Sequence, residues 1–242
     1  MQALLLDHDD VLVMSETLVF KASCSLINEV IQQKGVTYQY TPLELKEKFT
    51  GLGFTQIMRA LELQHRFEIT SDELQQFATE ELNLVAEFLE AKVESSPGAA
   101  DMLTQVRNWG VACAVVSSSE LRRIRACLRR TGFDRYISHE NVFSAADSLE
   151  KPEPKPSPAI YDLAVQALGV APEQCLAVED SSSGVLAAVQ AKIEVVGYVG
   201  AVEESSGNRA MRNRILIEAG AKASFSDWTS FLAWVCPRVS TP

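Results

Sequence analysis

Short apolar runs that end in polar residues alternate with helical patterns over most of the chain. We predict strands at six of these runs, residues 3–6, 112–116, 142–144, 175–178, 194–196 and 223–225. Alternation of strands with helices is typical of a parallel sheet that is covered by helices on both faces. The pattern therefore predicts a doubly wound, Rossmann-like α/β core.

Residues 15–90 interrupt this alternation, because their apolar residues recur only at helical spacing, as at Leu18 and Ala22. A segment of this kind, placed between the first two strands, is typical of an inserted domain. We therefore predict a core domain made of residues 1–14 and 91–242, and an inserted helical domain made of residues 15–90.

Composition excludes several classes of protein. The chain has 242 residues with a net charge of −10, so it offers no basic surface for nucleic acid or anionic lipid. No apolar run approaches the ~18 residues of a membrane helix. The five cysteines form no CxxC pair and do not suggest a disulfide framework. We expect a cytoplasmic protein, monomeric or a small homo-oligomer, that binds neither nucleic acid nor membranes.

Acidic, hydroxyl and cationic side chains follow the predicted strands or lie in the loops between them, at the edge where a parallel sheet binds ligands. In chain order they are Asp7, Asp9, Ser117, Ser118, Lys155, Glu179 and Asp180. Three converging carboxylates need a cation, and Mg²⁺ prefers oxygen ligands. We therefore predict that Asp7, Asp9 and Asp180 form a cup for Mg²⁺.

The spacing of the first two acids indicates their chemistry. In an extended chain residues 7 and 9 project the same way, so one carboxylate can attack a substrate while the other transfers protons. The hydroxyls and amides of Ser117 and Ser118 and the ammonium of Lys155 suit the oxygens of a phosphoryl group. The sequence predicts a phosphoryl-transfer site.

Two further features are interpreted as structural. His8 alternates away from its acidic neighbours, so we expect a packed histidine and assign it no role. The arginines between residues 122 and 130 are expected to form a solvated helix face.

Four motifs occur in an order that is specific as a set. They are Asp7-His8-Asp9-Asp10-Val11-Leu12, then Ser117, then Lys155-Pro156-Ser157-Pro158, then Glu179-Asp180-Ser181-Ser182-Ser183-Gly184. With these motifs the chain resembles the haloacid dehalogenase superfamily, in its phosphatase and β-phosphoglucomutase-like branch with a helical cap.

The resemblance implies a role for each acid. Asp7 would be the nucleophile that forms an aspartyl-phosphate, and Asp9 would protonate the leaving group and then activate water. Asp180 would bind Mg²⁺ directly, with Glu179 beside it and the backbone carbonyl of Asp9 as a further ligand. The implied activity is hydrolysis of a small phosphorylated metabolite such as a sugar phosphate.

Two alternatives come from departures within the motifs. Asp10 stands where the family has glycine and Met14 where it has aspartate, which raises the alternative of a catalytically impaired binding protein. The other alternative is a phosphohexomutase. Mutases of this branch carry a lysine and an arginine around a cap glycine, whereas this chain has Thr50 and Phe54 there. We therefore predict hydrolysis.

Overall fold

The computed structural model describes residues 1–49, 52–202 and 208–239. The strands are β1 (Ala3–Leu6), β2 (Ala112–Ser117), β3 (Val142–Ser144), β4 (Cys175–Glu179), β5 (Glu194–Tyr198) and β6 (Ser224–Phe225). The helices are α1 (Glu16–Gln33), α2 (Pro42–Phe49), α3 (Phe54–His65), α4 (Ser71–Lys92), α5 (Ala99–Asn108), α6 (Leu121–Thr131), α7 (Ala159–Leu168), α8 (Ser182–Gln190), α9 (Asn208–Ala219) and α10 (Trp228–Val235). None of these helices has an apolar stretch long enough to cross a bilayer.

The strands form one parallel sheet in the order β3-β2-β1-β4-β5-β6, as the predicted doubly wound α/β core requires. Alanine and leucine fill β1, which is fully buried, as expected of a central strand covered on both faces. The predicted strands are confirmed, although β2 continues to Ser117, β4 to Glu179 and β5 to Tyr198, and β6 begins at Ser224.

Alternation of side chains along the strands builds the main core of the sheet. Ala3 and Leu5 of β1 face the same way as Ala177 of β4, and they pack with Ile160 of α7 and Val185 of α8. The loops that follow the strands, where we predicted the functional residues, are therefore attached to a rigid, buried scaffold.

The chain divides into two compact units, Met1–Met14 with Glu94–Pro242, and Ser15–Val93. The second unit contains α1 to α4 and buries its own apolar cluster, which includes Ile27, Leu45 and Leu61. The segment between β1 and β2 is thus helical, as predicted. Because α4 runs to Lys92, the second division falls three residues after the 90/91 boundary expected from the sequence.

Candidate active site

The register of the central strands brings the ends of β1 and β4 together. Leu6 lies opposite Val115 of β2 and Val178 of β4, and the Asp7 amide donates to the Val178 carbonyl at 3.0 Å. Asp7 is therefore level with Glu179, the last residue of β4. The chain winds outwards on both sides of β1, so these residues lie at the switch point where parallel sheets bind ligands.

Lys155 links the acids at this edge. Its ammonium donates to Asp7 Oδ1 and Glu179 Oε1, both at 2.6 Å, and to the Val116 carbonyl at 2.7 Å. Burial disfavours the charged ammonium, but the Asp7 and Glu179 carboxylates outweigh it and raise the pKa of Lys155. The Tyr161 hydroxyl also donates to Glu179 Oε1, at 2.5 Å. Lys155 therefore stays positively charged at this site.

Three carboxylates form an acidic cluster. One oxygen from each of Asp7, Glu179 and Asp180 lies within 4.8 Å of the others. Burial raises the pKa of Glu179 to about 7, and burial and the Asp7 carboxylate raise the pKa of Asp180 well above its usual range. Glu179 Oε2 is buried with no hydrogen-bond partner among the described residues. An all-oxygen donor set with an unpaired buried oxygen fits a hard divalent cation.

Gly184 makes room for this cluster in the first turn of α8. A Cβ built on Gly184 would overlap the Glu179 carboxylate. The helix itself begins at the Ser181 cap, whose hydroxyl accepts a hydrogen bond from the Gly184 amide at 3.1 Å. The serine run is thus a helix start, and the glycine after it allows the close approach of Glu179.

Asp9 is oriented differently from our expectation. Its carboxylate is not part of the acidic cluster but accepts hydrogen bonds from Ser119 Oγ at 2.6 Å and Arg123 Nη2 at 2.8 Å. The prediction requires an extended chain from residue 7 to residue 9. In the structure the chain turns here, with Asp10 at φ 55° and the His8 carbonyl accepting from the Leu12 amide. The third carboxylate beside Asp7 and Asp180 is therefore that of Glu179, and not that of Asp9 as in the predicted cup.

His8 is fully buried, as expected of a packed histidine, and it also interacts with the Asp9 carboxylate. Its Nδ1 lies 3.3 Å from Asp9 Oδ1. Burial alone would lower the pKa of His8, yet the Asp9 carboxylate and the Cys127 thiol raise it to about 10. Burial would likewise raise the pKa of Asp9, but Arg123, His8 and Ser119 hold it well below its usual range. The contacts around Asp9 therefore favour its ionised form in this orientation.

The predicted phosphate-binding serines lie at the end of β2. Ser117 is buried, and its hydroxyl accepts from the Ser119 amide at 3.1 Å. Ser118 is exposed, and its hydroxyl accepts from the Lys155 amide at 3.3 Å. The second and third motifs are therefore in direct contact, and the Ser118 side chain faces solvent.

Sequence reasoning missed the groups that hold Asp9. The sequence pattern predicts Arg123 on a solvated arginine face and indicates no role for Ser119. The available signal was position: Ser119 directly follows the second motif, and Arg123 lies in the first turn of the next helix. A cation at the start of a helix that follows a sheet strand lies near the ligand-binding edge.

Comparison with known proteins places this geometry in context. A family model described as haloacid dehalogenase-like hydrolase matches residues 1–192. The chain is 30% identical over 227 residues to the phosphorylated carbohydrates phosphatase of Thermotoga maritima, covering 92% of this chain and 93% of the relative. It is 25% identical over 194 residues to the 6-phosphogluconate phosphatase of Escherichia coli, covering 80% of each protein.

A solved structure is similar over nearly the whole chain. It is a HAD family hydrolase from Deinococcus radiodurans, crystallised with bound phosphate and sodium. The TM-score is 0.73 with 27% identity, and the alignment covers 100% of this chain and 98% of that one.

Proposed function

The chain belongs to the haloacid dehalogenase-like hydrolase family, and from that membership we propose that it is a Mg²⁺-dependent phosphatase acting through an aspartyl-phosphate on Asp7. The observation that carries this proposal is the acidic cluster at the end of β1. There the Asp7 carboxylate is held by Lys155 beside Glu179 and Asp180. We also propose that the helical unit acts as the cap domain.

In the proposed reaction, an oxygen of Asp7 attacks phosphorus and the bond from phosphorus to the substrate oxygen breaks. Asp9 donates a proton to that leaving oxygen. Water then attacks the phosphorus of the aspartyl-phosphate and gives its proton to Asp9, which releases inorganic phosphate and restores Asp7. Ser117, Ser118 and Lys155 are proposed to bind the phosphoryl oxygens during both steps.

The proposed Mg²⁺ ligands are the carboxylates of Asp7, Glu179 and Asp180 and the backbone carbonyl of Asp9. The unpaired Glu179 Oε2 and the raised pKa values of Glu179 and Asp180 support a dication here. Bound Mg²⁺ would supply positive charge that offsets the carboxylates and the phosphoryl group. Asp7 could then approach a phosphate dianion without strong repulsion.

The proposed substrate is a small phosphorylated metabolite, such as a sugar phosphate. The names of the two phosphatase relatives, one for phosphorylated carbohydrates and one for 6-phosphogluconate, support this class. A cytoplasmic location is proposed with it, since four of the five cysteines are buried free thiols.

The test is phosphate release from a panel of sugar and polyol phosphates, with Mg²⁺ and with excess chelator. We expect release only with Mg²⁺, and a loss of several orders of magnitude in Asp7→Asn, because a neutral amide cannot attack phosphorus. Asp180→Ala should weaken Mg²⁺ binding far more than Glu153→Ala, whose exposed carboxylate accepts from Ser157. If no phosphate monoester is hydrolysed, the impaired binding protein is the better account.

Hydrolysis is proposed over mutase activity because Thr50 and Phe54 stand where mutases of this branch carry cations. The cations nearby in the sequence, Lys48 and Arg59, contact other residues of the helical unit. Lys48 lies over the Tyr40 ring at 5.3 Å, and Arg59 donates to Glu62 at 2.7 Å. Phe54 packs against the apolar cluster of that unit. Thr50 lies outside the described residues. Lys48 and Arg59 therefore have partners within the helical unit, and Lys48 stays exposed while Arg59 stays partly exposed.

The mutase alternative has a direct test. The protein is incubated with β-glucose 1-phosphate, Mg²⁺ and a trace of the bisphosphate, and inorganic phosphate and glucose 6-phosphate are followed together. We expect no efficient formation of glucose 6-phosphate. Its rapid formation without matching phosphate release would replace the phosphatase proposal with a mutase.

A further inference from the structure

Both carboxylate oxygens of Asp9 are held by groups outside the acidic cluster. Oδ1 accepts from Arg123 at 2.8 Å and Oδ2 accepts from Ser119 at 2.6 Å. The side chains of Arg123 and Asp9 are 18% and 24% exposed, so this ion pair is shielded from much of the solvent. A partly buried carboxylate whose two oxygens both accept hydrogen bonds has a more firmly fixed orientation than a carboxylate in a surface ion pair.

The groups that hold Asp9 are themselves anchored. The Ser119 amide donates to Ser117 Oγ at 3.1 Å, and the Ser119 carbonyl accepts from Ser144 Oγ at 2.7 Å. The start of α6, which carries Arg123, is fixed where the Leu121 amide donates to Asp147 Oδ2 at 2.6 Å. The hold on Asp9 is therefore built from the ends of β2 and β3 and the first turn of α6.

This orientation conflicts with the proton transfers that the proposed function requires of Asp9. The Asp9 carboxylate is not among the acidic groups that gather at Asp7, and both of its oxygens already accept hydrogen bonds from Ser119 and Arg123. We propose that Arg123 is a positioning residue, which holds Asp9 in a resting orientation that must be released before Asp9 serves as acid and base. The inference rests on the proposed function for the role of Asp9.

Leaving-group dependence tests this proposal. An alkyl phosphate needs a proton on its leaving oxygen, whereas an aryl phosphate such as p-nitrophenyl phosphate does not. Arg123→Met keeps a side chain of similar length without its donors. We expect the ratio of kcat/KM for an alkyl phosphate to that for the aryl phosphate to rise by roughly threefold to tenfold, because one charged hydrogen bond to Asp9 is removed.

Three further variants separate positioning from a general structural effect. Arg123→Lys keeps the positive charge and should return the ratio towards the wild-type value. Ser119→Ala removes the other hydrogen bond and should raise the ratio in the same direction. Arg130→Met removes an exposed arginine from the end of the same helix and should leave the ratio unchanged. A ratio that stays the same or falls in Arg123→Met overturns the proposal.

A structural readout distinguishes this inference from the proposed function. In crystal structures of the wild type, we expect the Asp9 carboxylate to accept hydrogen bonds from Ser119 and Arg123. In Arg123→Met we expect this carboxylate to turn away from α6. If the wild type hydrolyses no phosphate monoester but Asp9 moves in the variant, the positioning stands and the proposed function fails. If the enzyme is active but Asp9 keeps its orientation in the variant, the proposed function stands and Arg123 is not its positioning residue.

Discussion

At position 10 an aspartate occupies the left-handed region of the backbone, with φ 55°. The family motif has glycine there, and glycine adopts this conformation without steric cost. Aspartate tolerates it better than most residues, whereas a β-branched side chain does not. The departure is therefore compatible with an intact turn after β1 and does not by itself imply an inactive protein.

We accordingly expect the free energy of unfolding of Asp10→Gly to lie within about 1 kcal/mol of the wild-type value. This variant should also keep the proposed phosphatase activity. Asp10→Val should be less stable by about 1–2 kcal/mol, since left-handed geometry crowds its Cβ. Urea unfolding of both variants measures the difference. A glycine variant less stable than the valine variant would show that side-chain contacts of Asp10, and not backbone conformation, decide this position.

Gly184 gives a second prediction at the scale of single residues. Because a Cβ at this position would overlap the Glu179 carboxylate, Gly184→Ala should lower the free energy of unfolding by about 1–3 kcal/mol. It should also weaken Mg²⁺ binding by about tenfold or more, since Glu179 must move. Calorimetric titration with MgCl₂ measures the affinity.

The matched control is Gly53→Ala, in the helical unit, where an added Cβ would meet nothing closer than 4.0 Å. It should leave Mg²⁺ binding unchanged. Equal Mg²⁺ affinity in the two alanine variants would contradict the role assigned to Gly184.

The sequence located the site better than it oriented its side chains. Asp7, Lys155, Glu179 and Asp180 could be brought together from the sequence because their positions follow from strand ends of one parallel sheet. The orientation of Asp9 could not, because it depends on a turn that begins one residue earlier and on an arginine from another element. The turn is marked only by Asp10 at the glycine position of the motif, and the arginine only by its place in the first turn of the next helix.

At the scale of elements, the predictable features are those that burial dictates. The two central strands, β1 and β4, are continuous apolar runs up to Leu6 and Val178, and the polar residues that follow mark where these runs end. The predicted ends of β4 and β5 fall one and two residues too early, because Glu179 and Tyr198 have polar side-chain atoms, which are typical of loop residues. Inside the fold the partners of their polar atoms are other side chains: Tyr161 and Lys155 for Glu179, and Ser96 for Tyr198.

The start of α4 makes a prediction about pH. Thr70 caps the helix, and Glu73 accepts from the Thr70 amide at 2.9 Å and from Lys34 at 2.7 Å. Lys34 and Thr70 lower the pKa of Glu73 from 4.5 to about 2. Since the folded pKa lies below the unfolded one, the contribution of Glu73 to stability is present above about pH 4.5 and is lost as the pH falls towards 2.

Glu73→Gln should therefore unfold at a lower urea concentration than the wild type at pH 6, and the two midpoints should converge as the pH falls to about 2. Circular dichroism follows the unfolding. The exposed Glu87 on the same helix provides the control, and Glu87→Gln should match the wild type at both pH values. A Glu73 effect of constant size from pH 6 to pH 2 would contradict the assignment.

At the scale of the whole molecule, the proposed chemistry depends on segments that are far apart in sequence. The proposed nucleophile follows β1, and the proposed phosphate-binding serines end β2 and begin the loop after it. The lysine precedes α7, and the remaining acids of the cluster end β4 and begin the loop after it. The parallel sheet is what makes them neighbours. The helical unit folds around its own apolar cluster, and the sequence carries no code for the substrate, which is why only a class of phosphorylated metabolites is proposed.

The central claim is that Asp7 carries the phosphoryl group during turnover. Borohydride reduces an aspartyl-phosphate to homoserine, so the protein is quenched during steady-state hydrolysis of a sugar phosphate, reduced, digested and analysed by mass spectrometry. We expect homoserine at position 7, present only when Mg²⁺ and substrate are both supplied and absent in Asp7→Asn. If phosphate is released at the full rate while aspartate stays intact at position 7, or if another acid is reduced instead, Asp7 is not the residue that carries the phosphoryl group.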